Sequence, residues 1–335
     1  MKSENLQSKW PIVGNGQIVN FLIKSIKNNS ISGTYIFYGP DNLGKNHLAH
    51  YFAKVLLCEK KGETACEECA SCKRFETGAL SDVISIKREE DKKNISIEQV
   101  RDLIQRLSMS SFLNSYKIGI VNEAHTLSLE AANALLKTLE EPKKDVVVIL
   151  TTSALDLLPK TIVSRSQILR FNPVDSDLIY DYLVNEEKIT RSAAKNFARL
   201  SLGRPALALK FLKNREFLDS YLKTAKIFLN FFDKDINDRF SGIKEIVGEK
   251  GNGQENARSA EEAIKIWRGL LRDLLLLGYG HNDLIRNEIF NKELSEIGKK
   301  KTDFLNLFHV LRNAEIYLLG NVNPKLVLEQ IAISL

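Results

Sequence analysis

A short apolar run, Tyr35-Ile36-Phe37-Tyr38, leads directly into Gly39-Pro-Asp-Asn-Leu-Gly44-Lys45-Asn46, after which a helical pattern begins. A strand that turns through a glycine-rich loop into a helix N-terminus is the setting of a phosphate-binding loop. The glycines let backbone N–H groups wrap an anion, and a lysine at this point reaches the β and γ oxygens of a nucleotide. Few features constrain a fold more, because the loop needs a buried strand behind it and a helix ahead of it. Further short apolar runs follow at Val83-Ile-Ser-Ile86, Ile118-Gly-Ile-Val121, Val146-Val-Val-Ile-Leu150 and Ile168-Leu-Arg-Phe171, with helical patterns between them. Five near-continuous apolar strands alternating with helices predict an α/β domain. Its parallel sheet is covered on both faces, with functional loops at the strands' C-terminal ends.

The helices carry their own signals. Ser96 is placed to cap a stretch with Val100, Leu103, Ile104 and Leu107 on one face, and Ser128 precedes Leu129, Ala132, Leu135, Leu136 and Leu139, with Pro142 as the stop. From Pro173 the β pattern vanishes. One helical group runs to about residue 214, carrying Leu178, Tyr182, Phe197, Leu200, Ala206 and Leu209, and a second from about residue 216 to Leu335. Ile264, Leu270, Leu271, Leu274, Leu275, Leu307, Leu311 and Leu318 read by periodicity mostly as the core of the second group. The segment 248–256, with three glycines, predicts a flexible loop within it. A chain of 335 residues, 44% hydrophobic and 27% charged, fits two or three folded domains. No apolar run approaches a membrane span and residues 1–9 lack the apolar stretch of a secretory signal, so a cytoplasmic protein without a membrane partner is expected. The net charge of +6 is too mild to assign a nucleic-acid partner.

All four cysteines, Cys58, Cys66, Cys69 and Cys72, fall in one window. In a reducing compartment four clustered thiols point to a closed tetrahedral site for a structural Zn2+ rather than to disulfides. A catalytic zinc would need an open position and usually a histidine or carboxylate ligand, and no histidine lies in this window. The charged residues Glu59, Lys60, Lys61, Glu63, Glu67 and Glu68 make the segment too polar to pack unaided.

The phosphate loop departs from its pattern at one position. A serine or threonine should follow Lys45 to ligate magnesium, and Asn46 offers only a neutral amide oxygen. The third strand ends Ile120-Val121-Asn122-Glu123-Ala124-His125, where Asp-Glu would hold the metal shell and orient water. Asn122 removes that charge, while Glu123 remains as a residual base with little to act on. Two metal contacts degraded in one chain predict a site that binds ATP and Mg2+ weakly or not at all and has lost efficient hydrolysis, with slow turnover as the alternative.

With these motifs in place, the chain resembles the delta-prime family of bacterial DNA polymerase III clamp-loader subunits, within the AAA+ proteins. The resemblance rests on the altered phosphate loop, the cysteine knuckle, and Asn122-Glu-Ala-His followed by Ala131-Ala-Asn-Ala-Leu-Leu-Lys-Thr-Leu-Glu-Glu-Pro142. It continues through Thr151-Thr-Ser, Leu157-Leu-Pro159, Ser164-Arg165-Ser166, Gly203-Arg204-Pro-Ala-Leu207 and Asn321-Val-Asn-Pro-Lys-Leu-Val-Leu-Glu329. It implies an AAA+ domain at 1–172 holding the knuckle at 58–72, a small helical lid at 173–215 and an all-α collar at 216–335. It implies that Thr152 stands in the sensor 1 region, that Arg204 is the sensor 2 arginine, and that Arg165 is an arginine finger for a neighbouring subunit's ATP. The motif's cysteine is Ser166 here, which touches packing before chemistry. The implied partners are delta and gamma/tau subunits, with the sliding clamp and primer-template DNA reached through the complex. Two alternatives stand beside this: an ATP-hydrolysing gamma/tau-type motor, opposed by Asn46 and Asn122, and a zinc-dependent nucleic-acid binder, opposed by Glu63, Glu67 and Glu68.

Overall fold

Period-two alternation in the apolar runs decides how the sheet is buried. In the computed structural model, which describes residues 10–89, 92–111, 116–140, 143, 145–248, 253–300 and 302–335, the strands are β1 (Thr34–Tyr38), β2 (Val83–Ile86), β3 (Lys117–Val121), β4 (Val146–Thr152) and β5 (Gln167–Arg170). They pair in parallel in the order β2-β3-β4-β1-β5. Among the described residues six α-helices accompany them: α1 (Gly16–Lys27), α2 (Lys45–Leu56), α3 (Ala70–Glu76), α4 (Ile97–Ser108), α5 (Leu129–Glu140) and α6 (Lys160–Val163). Tyr35, Phe37, Ile118, Ile120, Val147 and Ile149 face Leu22 of α1 and Leu48 and Phe52 of α2. Their neighbours Ile36, Val121, Val148 and Leu150 face Leu103 and Leu107 of α4 and Leu135 of α5. Both sheet faces are thus covered, as continuous apolar strands require.

Ser96 caps α4 as its sequence predicts, in a reciprocal capping box with Gln99. The Ser128 hydroxyl accepts from the Ala131 N–H. Leu129 does not join the apolar face expected of it and is 69% exposed. At about 100° per residue it stands roughly 105° from the centre of the face formed by Ala131, Ala132, Leu135 and Leu139. Pro142, the expected stop, lies outside the described residues.

Nine more helices follow among the described residues: α7 (Ser176–Asn185), α8 (Arg191–Leu200), α9 (Pro205–Lys213), α10 (Arg215–Asn230), α11 (Ile236–Ile246), α12 (Gly253–Gly278), α13 (Asn291–Ile297), α14 (Phe304–Leu319) and α15 (Pro324–Ile333). The loop expected at 248–256 is shorter than predicted. Gly253 to Asn256 form the first turn of α12, whose Ala260, Ala263, Ile264, Trp267, Leu270, Leu271 and Leu274 bury one face; residues 249–252 lie outside the described residues. None of these helices is long and apolar enough to cross a membrane.

The chain divides into two compact units, Met1–Tyr182 with Gly203–Leu207, and Leu183–Leu202 with Ala208–Leu335. In the second, Trp267 stacks on Phe228 with ring centroids 5.3 Å apart and donates its Nε1–H to the Thr224 carbonyl. The residues expected in this core are there, Leu275 at its half-buried margin. One carboxylate is fully buried within it. Asp273 accepts from the backbone N–H groups of Arg286 and Asn287 and from the Asn287 amide, which satisfies a charge that would otherwise be costly to bury.

Candidate functional site

The register of the parallel sheet brings three loop ends together. Tyr38 of β1 lies beside Thr152 of β4, and Val121 of β3 beside Leu150. The glycine loop, Asn122-Glu123 and Thr152 therefore share the C-terminal edge of the sheet, the usual place for a nucleotide crevice. Gly39 donates its N–H to the Thr152 carbonyl at 3.1 Å. Gly44, with φ 87°, opens α2, and its carbonyl accepts the Leu48 N–H at 2.9 Å.

Lys45 is 7% exposed, and its ammonium donates to the carbonyls of Gly39 at 2.5 Å and Pro40 at 2.6 Å. Burial lowers its pKa, and the Asp41 carboxylate 4.0 Å away acts in the opposite sense. The lysine is thus satisfied by its own loop. Asn46 is exposed at the start of α2.

Asn122 sits in a neutral hydrogen-bond chain. Its amide donates to the Ser85 hydroxyl at 3.1 Å, and its carbonyl accepts from the Thr151 hydroxyl at 3.4 Å. An aspartate's charge is missing, yet the shape of the site is filled. Glu123 adopts the left-handed conformation, φ 52°, and its carboxylate lies 3.4 Å from the Arg88 guanidinium. Thr152 is 1% exposed, and its hydroxyl bonds with the Ala154 backbone and lies 3.2 Å from His125 Nδ1. Burial pushes the His125 pKa down, against the pull of Asp41 and Glu123. Arg204 is half-buried beside this edge: Gly203 accepts the Val174 N–H at 2.8 Å and Ala206 donates to the Asn42 carbonyl of the glycine loop at 3.0 Å. The motif reading did not single out Ser85, Arg88 or His125 as site residues. Only His125 had a signal, its place in the Asn122-Glu-Ala-His run.

The four cysteine sulfurs lie within 4.8 Å of one another, with Cys66 and Cys72 4.0 Å apart, and none forms a disulfide. A tetrahedron of thiolates around zinc has S···S edges of about 3.8 Å, given Zn–S bonds near 2.3 Å. Donor set and spacing fit that metal. Cys66 accepts the Cys69 N–H and Cys69 accepts the Cys72 N–H, each at 3.4 Å, so the chain is already wrapped around sulfur. Backbone N–H groups of Glu68 and Cys69 bring Cys66 down to about 6, while burial pushes Cys72 up to about 12. Five of the charged residues that make this segment unsuited to packing alone, Glu59, Lys60, Glu63, Glu67 and Glu68, are paired. Lys54 bridges Glu67 and Glu76, Lys60 meets Glu68 at 2.7 Å, Lys27 meets Glu63 at 2.8 Å, and Glu59 accepts both the N–H and the hydroxyl of Ser71. Trp10 closes the knuckle by donating to the Glu63 carbonyl at 3.1 Å.

Arg165 lies just beyond α6 and is half-exposed. One of its nitrogens donates to the Thr161 carbonyl and another lies 3.2 Å from Glu140 Oε1. The Ser166 hydroxyl donates to the Ile162 carbonyl at 2.7 Å, so a serine at the position of the motif's cysteine closes the end of α6.

Residues 14–175 match the family described as DNA polymerase III, delta subunit. The chain is 31% identical over 282 residues to DNA polymerase III subunit tau of Bacillus subtilis, covering 78% of this chain and 49% of that protein. It is 32% identical over 212 residues to subunit delta' of the same organism, covering 63% of each. The matches therefore span between about half and just under two thirds of these relatives' lengths. A crystal structure of a DNA polymerase III gamma subunit-related protein from Thermotoga maritima superposes with a TM-score of 0.52 at 17% identity, covering 94% of this chain and 97% of that one. That likeness is one of fold.

Proposed function

We propose that this chain, which belongs to the DNA polymerase III delta-prime family, works as a clamp-loader subunit that lends an arginine to a neighbour's ATP while hydrolysing little or none itself. One observation carries the reading. The strand, loop and helix of a nucleotide site are preserved, but the two positions that should hold magnesium are asparagines, and Asn122 is engaged in a neutral chain with Ser85 and Thr151. Without that metal, Glu123 has no activated water to orient. Lys45 and the loop N–H groups are the groups that would retain a nucleotide.

In this reading the first 172 residues are the AAA+ domain, residues 173–215 a helical lid and residues 216–335 the collar. Arg204 would be the lid's contribution and Thr152 the sensor at the strand end. Its partners would be delta-type and gamma/tau-type subunits, with the sliding clamp and primed DNA reached through the assembly in the cytoplasm. Zinc, held by Cys58, Cys66, Cys69 and Cys72, would supply folding free energy alone, since four thiolates leave no open position. The similarity to a tau subunit favours a second reading, an ATP-hydrolysing motor. Asn46 and Asn122 count against it.

The test is reconstitution with delta-type and gamma/tau-type subunits, a clamp and primed DNA. Omitting this chain is expected to abolish DNA-stimulated ATP hydrolysis, and Arg165→Ala to lower it strongly. A transferred arginine has contributed roughly 10³ to 10⁵ in rate where a single site was measured, and several sites in one ring would dilute that loss. Arg165→Lys should rescue poorly, because an ammonium lacks the planar fork that meets two phosphate oxygens. Full hydrolysis with the alanine variant would refute the role in trans.

A further inference from the structure

The surroundings of Arg165 assign a role to a residue of the 131–142 run that the motif reading left without one. The backbone after α6 is fixed by the Ser164 N–H on the Lys160 carbonyl and the Arg165 N–H on the Ile162 carbonyl. The guanidinium is 40% exposed and is held at two of its arms: Nη1 donates to the Thr161 carbonyl at 3.2 Å, and Nη2 lies 3.2 Å from the Glu140 carboxylate, itself 48% exposed. Glu140 is the last residue of α5. The carbonyl end of a helix carries partial negative charge, so a carboxylate there is disfavoured by its own helix, and the cation beside it is the compensating charge.

We propose that Glu140 is a positioning residue that parks the Arg165 guanidinium in the free subunit and yields it to the triphosphate of the adjoining subunit. The inference rests on Arg165 acting in trans as read above. Paired with Glu140, the guanidinium is locally neutralised and its attraction for phosphate is reduced. An exposed pair of this kind holds its partners by no more than about fivefold, and a polyphosphate bearing several negative charges outcompetes one carboxylate. The parking contact therefore shields a displayed cation without trapping it. Thr161 meanwhile keeps the side chain oriented, because its carbonyl engages a different nitrogen.

Glu140→Gln keeps the shape and removes the charge. In the reconstituted complex it is expected to lower the apparent KM for ATP by about two- to fivefold at low salt with kcat unchanged, because the arginine is released equally to the bound substrate and to the transition state. The difference should shrink as ionic strength rises toward about 0.5 M, and Glu140→Asp should behave like the parent chain if its shorter carboxylate still reaches Nη2. Arg165→Ala and the double variant separate the two ideas. If Arg165→Ala leaves hydrolysis intact, the role in trans fails and the parking role with it. If Arg165→Ala abolishes hydrolysis but Glu140→Gln leaves KM unchanged or raises it, parking alone is overturned. A lowered melting temperature of the isolated Glu140→Gln chain with unchanged KM would mark the pair as merely structural, and would also overturn it.

Discussion

Gly39 and Gly44 bound the same glycine loop, and phosphate binding alone would treat them alike. Their environments differ. A Cβ built on Gly44, at φ 87°, meets nothing within 4 Å. Gly44→Ala therefore costs only the left-handed backbone conformation, about 1–2 kcal/mol. A Cβ on Gly39, at φ 150°, would stand 2.4 Å from the Phe171 carbonyl oxygen and 3.1 Å from its carbon. Neither side yields freely, because Gly39 N–H is bonded to Thr152 and Phe171 N–H to the Tyr38 carbonyl at 2.7 Å. Breaking one or both of those bonds costs about 1 kcal/mol each, and overpacking a dense interior a further 1–3 kcal/mol. With the backbone cost added, Gly39→Ala should destabilise by about 3–7 kcal/mol, at least about 2 kcal/mol more than Gly44→Ala. In a domain of this size that separates the two melting temperatures by at least about 4–8 °C. The measurement is thermal unfolding of the two full-length variants without nucleotide. Equal melting temperatures, or a lower one for Gly44→Ala, would refute the packing argument.

Two further outcomes are expected. Protein purified without added metal should contain about one equivalent of zinc, and less than about a tenth of an equivalent with four titratable thiols would exclude the site. The isolated chain should hydrolyse ATP at background, and Asn46→Thr with Asn122→Asp should raise that rate if the missing magnesium contacts are the cause. The carboxylate that Asn122→Asp introduces can still accept from Thr151, and the Ser85 hydroxyl can rotate to donate. Parent protein turning over ATP as fast as a gamma-type subunit would refute the altered-site reading.

The fold was legible where local pattern and burial agree. All five apolar runs are strands of one parallel sheet, and their register alone carries the glycine loop, Asn122 and Thr152 to one edge. Pattern misled where composition and helical phase diverge. Leu129 is apolar and follows a good cap, but its phase turns it to solvent. Gly253 to Asn256 look like a loop by composition, yet they are recruited by the long apolar face of α12 that begins at Ala260. Tertiary burial of that face outweighs the local preference of one glycine and three polar residues, a preference of only about 1 kcal/mol for the glycine.

The site divides on the same line. Residue types at fixed spacing announce the cysteine cluster and the altered metal positions, because both chemistries are read from neighbours a few residues apart. The contacts that decide what those residues do are long-range: Ser85 to Asn122, Arg88 to Glu123, and Glu140 to Arg165. Each joins segments at least 25 residues apart whose meeting depends on sheet order, so no spacing rule encodes it. Arg165 makes the consequence concrete. The resemblance carried by its Ser-Arg-Ser triplet implies a displayed cation, and the fold supplies a carboxylate opposite it. In the proposed reading, a cation displayed for a partner and a cation paired at home are the same residue seen in two states. Which state would dominate follows from the charge that reaches it: one carboxylate in the free chain and, as proposed, a triphosphate in an assembly.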